Sequence, residues 1–427
     1  FVKFYSSFSS LLYLTFNKNF HFKLIFCFTL IFLISCSSVK RVYDDRTSDS
    51  YDSFLVRVLV NEKPDNLSLL VKDKIYLSNE SEITAEVKNG NILNFSLDDE
   101  NIKLKIAGKT FTSNVFWIES GTDNKIIVID EKKYRGKLRV FNLNNEIKIV
   151  NELKLEDYVK GVITREMPVG KGNDNYNALK AFSICIRTYA FNRIAQKRDS
   201  FDLYPDTRDQ VYGGVVSETD FTNQIVDETA GQILSFDGKP AQVFYHSTCG
   251  GFTEDVQNVF NSVKVPYLIS IKDGTEPFCI ISPRYEWTEK YSESLFVNRL
   301  FNAGFLNSSD CSIQDISVES RFESGRVNEL RINLICNGSQ LKNISLFSNN
   351  IRNIIRTSDG SSILRSTMFN ISLDSNKNVL INGKGFGHGV GMCQWGAIGQ
   401  SKQGISFKDI LNHYYSGTKI ILIDDKF

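Results

Sequence analysis

The chain has 427 residues, room for two or three buried cores, and its 42% hydrophobic and 23% charged residues match an ordinary globular protein. That composition excludes a disordered chain, an integral membrane protein and a small scaffold stapled by disulfides. With 50 Lys and Arg against 49 Asp and Glu, no overall field draws the chain to nucleic acid, which is therefore not an expected partner.

Lys18 and Lys23 precede an apolar run from Leu24 to Ile34, interrupted by Thr29, which ends in Ser35-Cys36-Ser37-Ser38. A bilayer span takes about 20 residues, so this run is too short to cross and instead has the length of a signal-peptide core. A small residue before Cys at the end of that core resembles the bacterial lipobox. Residues 1–36 are therefore expected to be a lipoprotein signal peptide, Cys36 the lipidated residue, and the polar segment 37–53 a tether. The alternative is a plain signal peptide with an incidental Cys. The first Met is Met167, and residues before about Lys18 are expected to lie upstream of the start. The expected location is exported, lipid-anchored at the periplasmic side of the envelope, with membrane contact through the lipid alone.

From Phe54 to Val150 the short runs FLVRVLV, LSLLV, KIYL, KIIVI, KLRVF and EIKIV are separated by Asn, Asp and Gly. The alternation in Lys137-Leu138-Arg139-Val140 predicts half-buried antiparallel strands and a β-rich N-terminal module over 54–150. Near Leu155 the period lengthens. Leu155, Val159, Val162, Ile163 and Glu166 share one helical stripe, and Pro168 predicts a stop at Met167. Leu179, Phe182, Ile186, Ala190 and Ile194 mark a second amphipathic helix. A less distinctive α+β stretch runs to about Leu373, followed by the loop GKGFGHGVG and the helical FKDILNHYY. The fold class is α+β: the β-rich module, then a mixed α+β catalytic domain over 151–425.

Helical phase puts the carboxyl of Glu166 at the end of an apolar face, where lost hydration raises a carboxyl pKa and suits it to general acid chemistry. The competing reading is a frayed, solvated helix end, and position alone does not choose between them. Without Cys27 and Cys36, six cysteines remain: Cys185, Cys249, Cys279, Cys311, Cys336 and Cys393. An even number in an exported chain favours disulfides. Sequence proximity suggests Cys249–Cys279 and Cys311–Cys336 among the possible pairings.

The segment LEDYVKGVITREMP, followed by ALKAFSICIRTYA, resembles the stage II sporulation protein D family, which includes amidase-enhancer-like wall proteins. Gln210-Val211-Tyr212, TAGQIL from Thr229, YHSTCGGFTE from Tyr245, Val265-Pro266-Tyr267-Leu268 and GFGHGVGMCQWGA from Gly385 follow in the expected order. The resemblance covers about Tyr134 to Lys419. It implies a peptidoglycan lytic transglycosylase that cleaves glycan strands, with peptide-stripped strands as the candidate preferred form, to 1,6-anhydromuramic products. The Glu of the EMP motif, here Glu166, is the implied single acid/base. A hydrolase would need a second carboxylate, for which Asp174 and Glu156 are the nearest options. The alternative function is a non-enzymatic glycan-binding module that stimulates a wall amidase. Peptidoglycan glycan strands are the expected partner in either case, and a wall amidase in the second.

Arg187 and Tyr189 match the family's RTY. Arg187 is expected to bind a muramic lactyl carboxylate or orient its helix, with a structural salt bridge as the equal alternative. Tyr245 and His246, before the paired glycines, are expected to contact sugar, as are His388 and Gln394, with Trp395 as a stacking platform. The alternative for His388 is a tight loop whose buried backbone groups it satisfies. His246, Cys249 and Cys279 would supply three zinc ligands, but an oxidising compartment favours a Cys249–Cys279 disulfide, so no cofactor is expected. The family's zinc ligands, Cys and His just before QVY, are missing from Leu203 to Asp209. Cys393 stands where the family commonly has Ser and has Cys185 as a possible disulfide partner.

Overall fold

A computed structural model describes residues 54–80 and 83–423. The expected signal peptide and the lipidation site Cys36 lie outside the described residues. Among those residues no helix is long and apolar enough to cross a membrane.

The β-rich part is two main antiparallel sheets and a two-stranded hairpin, Ile127–Ile129 with Lys132–Tyr134. The larger runs in the order Leu55–Lys63, Glu146–Lys154, Lys137–Leu143, Val115–Ser120, Ile75–Ser78, Ile83–Val87. The smaller runs Asn66–Leu70, Ile92–Asp98, Asn101–Ile106, Lys109–Ser113. Strand alternation works as read: Leu138 and Val140 are buried, while the Lys137 ammonium lies 4.3 Å over the Trp117 ring on the other face. Phe95 of the smaller sheet meets Phe116 of the larger at 6.0 Å between centroids, and this contact joins the sheets.

Strand Glu146–Lys154 passes without a loop into helix α1, Leu155–Glu166. Leu155, Tyr158, Val159, Val162 and Ile163 are at most 1% exposed, as a stripe of period near 3.6 requires. Met167 is extended (φ −131°, ψ 135°), because the ring of Pro168 disfavours the helical region for the residue before it. Helix α2, Tyr176–Ala195, follows and is buried on most of its surface, and α3, Asp220–Glu228, starts at a reciprocal cap between Thr219 and Thr222. The short α4, Val256–Phe260, lies beyond the Cys-Gly-Gly turn.

One hydrophobic core runs from Val56 through α1 and α2 to Ile423, so the β-rich part and the helices pack as one body. A second core, spanning Trp287 to Ile381, is separate from it. It is built on α5, Glu293–Asn302, α6, Asn350–Ile355, and two three-stranded sheets. One sheet is Glu286–Tyr291, Val379–Lys384 and Phe369–Leu373; the other is Cys311–Arg321, Val327–Cys336 and Gln340–Phe347. Cys311 and Cys336 face each other across two strands of that second sheet and form the expected disulfide. After this module the chain returns to the first core through α7, Gln394–Lys402, and α8, Phe407–Tyr414.

Candidate active site

Glu166 ends α1 half-buried. Its Oε1 accepts the backbone N–H of Val211 at 2.7 Å, and the Gln394 amide donates to the Glu166 main-chain carbonyl at 2.8 Å, which holds that amide beside the carboxyl. Burial raises the Glu166 pKa above the ordinary carboxylate range, and the Val211 N–H and the Gln394 amide pull it partly back. The geometry is that of a half-buried, hydrogen-bonded acid, and not of a solvated helix end.

The loop that supplies Val211 is held from both sides. Gln210, fully buried, accepts from Tyr158 Oη at 3.0 Å and donates to Tyr245 Oη at 3.1 Å. The Tyr212 ring stacks on Tyr158 at 5.5 Å and donates through its hydroxyl to Asn151 at 2.8 Å. Gly161 makes room for it, since a Cβ there would lie 2.6 Å from the Tyr212 ring. The β-rich part anchors the loop's start: Arg57 pairs with buried Asp202 at 2.7 Å, and the Leu59 N–H donates to Leu203 O at 3.0 Å.

Tyr245-His246 and Met392-Cys393 form a short parallel pairing that joins the Cys-Gly-Gly turn to the Gly-rich loop. His388 Nδ1 accepts the Val390 N–H at 3.0 Å, so the ring proton sits on Nε2, which donates to Tyr245 O at 2.9 Å. His246 Nδ1 lies 3.2 Å from Val390 O. Burial lowers both imidazole pKa values, that of His388 to about 3, so both rings are neutral. The tight-loop reading of His388 is therefore the one its contacts fit. Gln394 and Trp395 differ from the histidines: Gln394 touches Glu166, and the adjacent Trp395 keeps part of its surface exposed.

Several expected contacts are not available. Arg187 is fully buried and spends its fork on Glu156, at 2.8 and 2.6 Å, with a further bond to Gln232 O at 3.0 Å. It is a structural ion pair, not a lactyl-carboxylate ligand, because α2 turns it into the core. The same pair occupies Glu156, which also accepts the Gly231 N–H at 3.0 Å. Asp174 faces Lys402 at 4.0 Å. Tyr189 donates to Asp209 at 2.7 Å and accepts from Arg193 at 2.9 Å, bracing the loop that holds Val211. A cleft lined by Trp287, Arg321, Phe369 and Asn382 belongs to the second module and shares no residue with this set.

The cysteines also depart from expectation. Cys249 and Cys279 are unbonded with sulfurs 3.4 Å apart, and Cys393 and Asp273 share their pocket, each sulfur and carboxylate within 4.8 Å of the others. Cys393 does not pair with Cys185, whose thiol instead donates to Tyr415 Oη at 3.8 Å. His246 lies outside the four-residue group. The contacts that sequence reasoning missed are the Val211 N–H, Gln210 and Tyr158. A main-chain donor leaves no residue signature, and Tyr158 reads from sequence as core; Gln210-Val211-Tyr212 was the one visible pointer.

A family profile described as Stage II sporulation protein matches residues 143–236, which carry α1, α2, Glu166 and Val211. Stage II sporulation protein D of Bacillus amyloliquefaciens is 31% identical over 64% of this chain and 75% of its own length. The chain belongs to the stage II sporulation protein D family. An uncharacterized protein of Brachyspira hyodysenteriae is 33% identical over 68% of this chain and 72% of that one. The amidase enhancer of Bacillus subtilis is 29% identical over 82% of this chain, which spans 55% of the enhancer's length. A second profile, a domain of unknown function (DUF8618), matches 279–391 and coincides with the second core. In this stage II sporulation protein D relative, Glu166 and Val211 lie in the family segment, whereas Gln394 comes from beyond the second module.

Proposed function

We propose that the chain is an exported, lipid-anchored wall enzyme that cleaves peptidoglycan glycan strands as a lytic transglycosylase, with Glu166 as the single acid/base. The supporting observation is the half-buried Glu166 carboxyl, which accepts the Val211 N–H while Gln394 holds the adjoining main-chain carbonyl. A protonated Glu166 gives its proton to the glycosidic oxygen as the C1–O bond breaks. The resulting carboxylate then takes the proton of the muramic 6-hydroxyl while O6 bonds to C1. Water is not consumed, so one carboxyl suffices where a hydrolase uses two. Glu156, spent on Arg187, and Asp174, facing Lys402, suit this single-carboxyl scheme better than a paired one. Trp395 is the proposed stacking surface for a sugar.

The match to an amidase enhancer supports a second reading, a glycan-binding module that stimulates a separate wall amidase. Digestion of intact and amidase-stripped sacculi by wild type and Glu166→Gln separates the two. The enzyme reading expects anhydro-ended fragments from the wild type and a loss of roughly 10²-fold or more in the variant, the usual worth of a positioned acid/base. Stimulation of amidase release by both proteins, with no fragments from either, would establish the enhancer instead.

A further inference from the structure

Cys249, Asp273, Cys279 and Cys393 are all buried, and their ligand atoms lie within 4.8 Å of one another. They come from three stretches of chain: the Cys-Gly-Gly turn, the segment leading into the 3-10 turn Phe278–Ile281, and the residue capping α7. We propose that these four residues hold a single structural zinc ion, as three thiolates and one carboxylate in a tetrahedron, that closes the base of the 279–391 module. With zinc–sulfur bonds of about 2.3 Å, ligand sulfurs in a tetrahedron sit about 3.8 Å apart. The Cys249 and Cys279 sulfurs are 3.4 Å apart, beyond the roughly 2.0 Å of a disulfide and a small adjustment from ligand spacing.

Three main-chain N–H groups treat the sulfurs as acceptors, while the carbonyl contact of Cys393 Sγ, to Ser247 O, is longer at 3.7 Å. Cys393 Sγ receives the N–H groups of Cys249 at 3.1 Å and Gly396 at 3.3 Å, and Cys249 Sγ receives that of Gly251 at 3.4 Å. Cys393 caps α7, where the helix N-terminus favours a thiolate. Asp273 is oriented by the Tyr414 hydroxyl at 2.6 Å and the Cys279 N–H at 2.9 Å, the outer hydrogen bonds a ligating carboxylate carries. Gly396 is needed for this fit, because a Cβ there would lie 2.1 Å from Tyr414 Oη and 2.6 Å from Asp273 Oδ1. Arg326, buried beside the cluster, donates to Cys249 O at 2.7 Å and leaves Nε and Nη1 without partners. Four anionic ligands exceed the charge of one divalent ion, and the buried Arg326 guanidinium beside Cys249 O offsets part of that excess.

Cys279 begins the matched module, and Cys393 follows its end by two residues. Zinc therefore fixes both ends of the insertion. It also fixes the start of the helix that carries Gln394 to Glu166. A Cys249–Cys279 disulfide would leave Cys393 and Asp273 buried beside it with no such role.

The inference rests on the cluster and not on the enzyme reading. Its test is the metal content and coordination of the full chain purified without reductant. We expect one zinc per chain, an X-ray absorption shell of three sulfurs and one oxygen, and tetrahedral cobalt bands with thiolate charge transfer after exchange. Tyr414→Phe, which keeps the ring but loses the bond to Asp273, should weaken zinc affinity roughly 10–100-fold, while Cys185→Ala should leave it unchanged. A Cys249–Cys279 disulfide in peptide maps of the native chain, a reduced chain that binds neither zinc nor cobalt, or a shell without sulfur overturns the proposal.

Discussion

At Glu166 two opposing influences meet: burial holds the proton on, while the Val211 N–H and the Gln394 amide favour the charged form. Because the folded-state pKa is raised, the acid stays protonated to a higher pH than an ordinary carboxyl, and cleavage that needs the proton is lost as pH rises through that raised value. Gln394→Met removes an amide that lowers the pKa, so the alkaline limb of the rate profile should move to still higher pH. A shift to lower pH would contradict the assignment. The same sign governs stability, since a raised carboxyl favours folding below its unfolded pKa and that contribution is lost on going up through the folded one. Glu166→Gln should therefore melt at or above the wild-type temperature at neutral pH while losing activity. Arg187 makes the opposite case. Arg187→Met leaves Glu156 buried and without its cation and should cost about 3–5 kcal/mol, measured by denaturant unfolding, while the pH–rate profile of the protein that stays folded is unchanged.

At the scale of elements, α1 was legible because its stripe and Pro168 leave one solution, and the strands because Leu138 and Val140 alternate with charged neighbours. What the sequence could not display was which donor meets Glu166. Val211 presents only a backbone N–H, and the parallel pairing of Tyr245-His246 with Met392-Cys393 joins segments far apart in the chain. Arg187 read equally well as ligand or ion pair, since the same residue type serves both and only the direction of α2 into the core decides. Gly161 is the element-level control of the site. Gly161→Ala would drive a methyl into the Tyr212 ring, and overpacking of this kind costs about 1–3 kcal/mol. The displaced Gln210–Tyr212 loop should lower activity more than that loss of stability accounts for, read as kcat against melting temperature across Gly161→Ala and Gly161→Ser.

Over the whole molecule, two cores share one chain, and the candidate site belongs to the first. The second has its own disulfide, closing a separation of 25 residues, which should contribute about 3 kcal/mol. Replacing Cys311 and Cys336 together by Ser should speed hydrogen exchange across 286–384 and leave the amides of α1 and α2 unchanged. Acceleration spread evenly over both cores would show that they unfold as one. The chemistry assigned to Glu166 makes its own demand of the products. If the muramic 6-hydroxyl closes the ring, solvent never enters the bond. Digesting sacculi in ¹⁸O-labelled water and weighing the new glycan ends by mass spectrometry tests this directly. The account predicts anhydro ends without label, absent from Glu166→Gln digests; reducing ends carrying ¹⁸O, or no new ends at all, would contradict it.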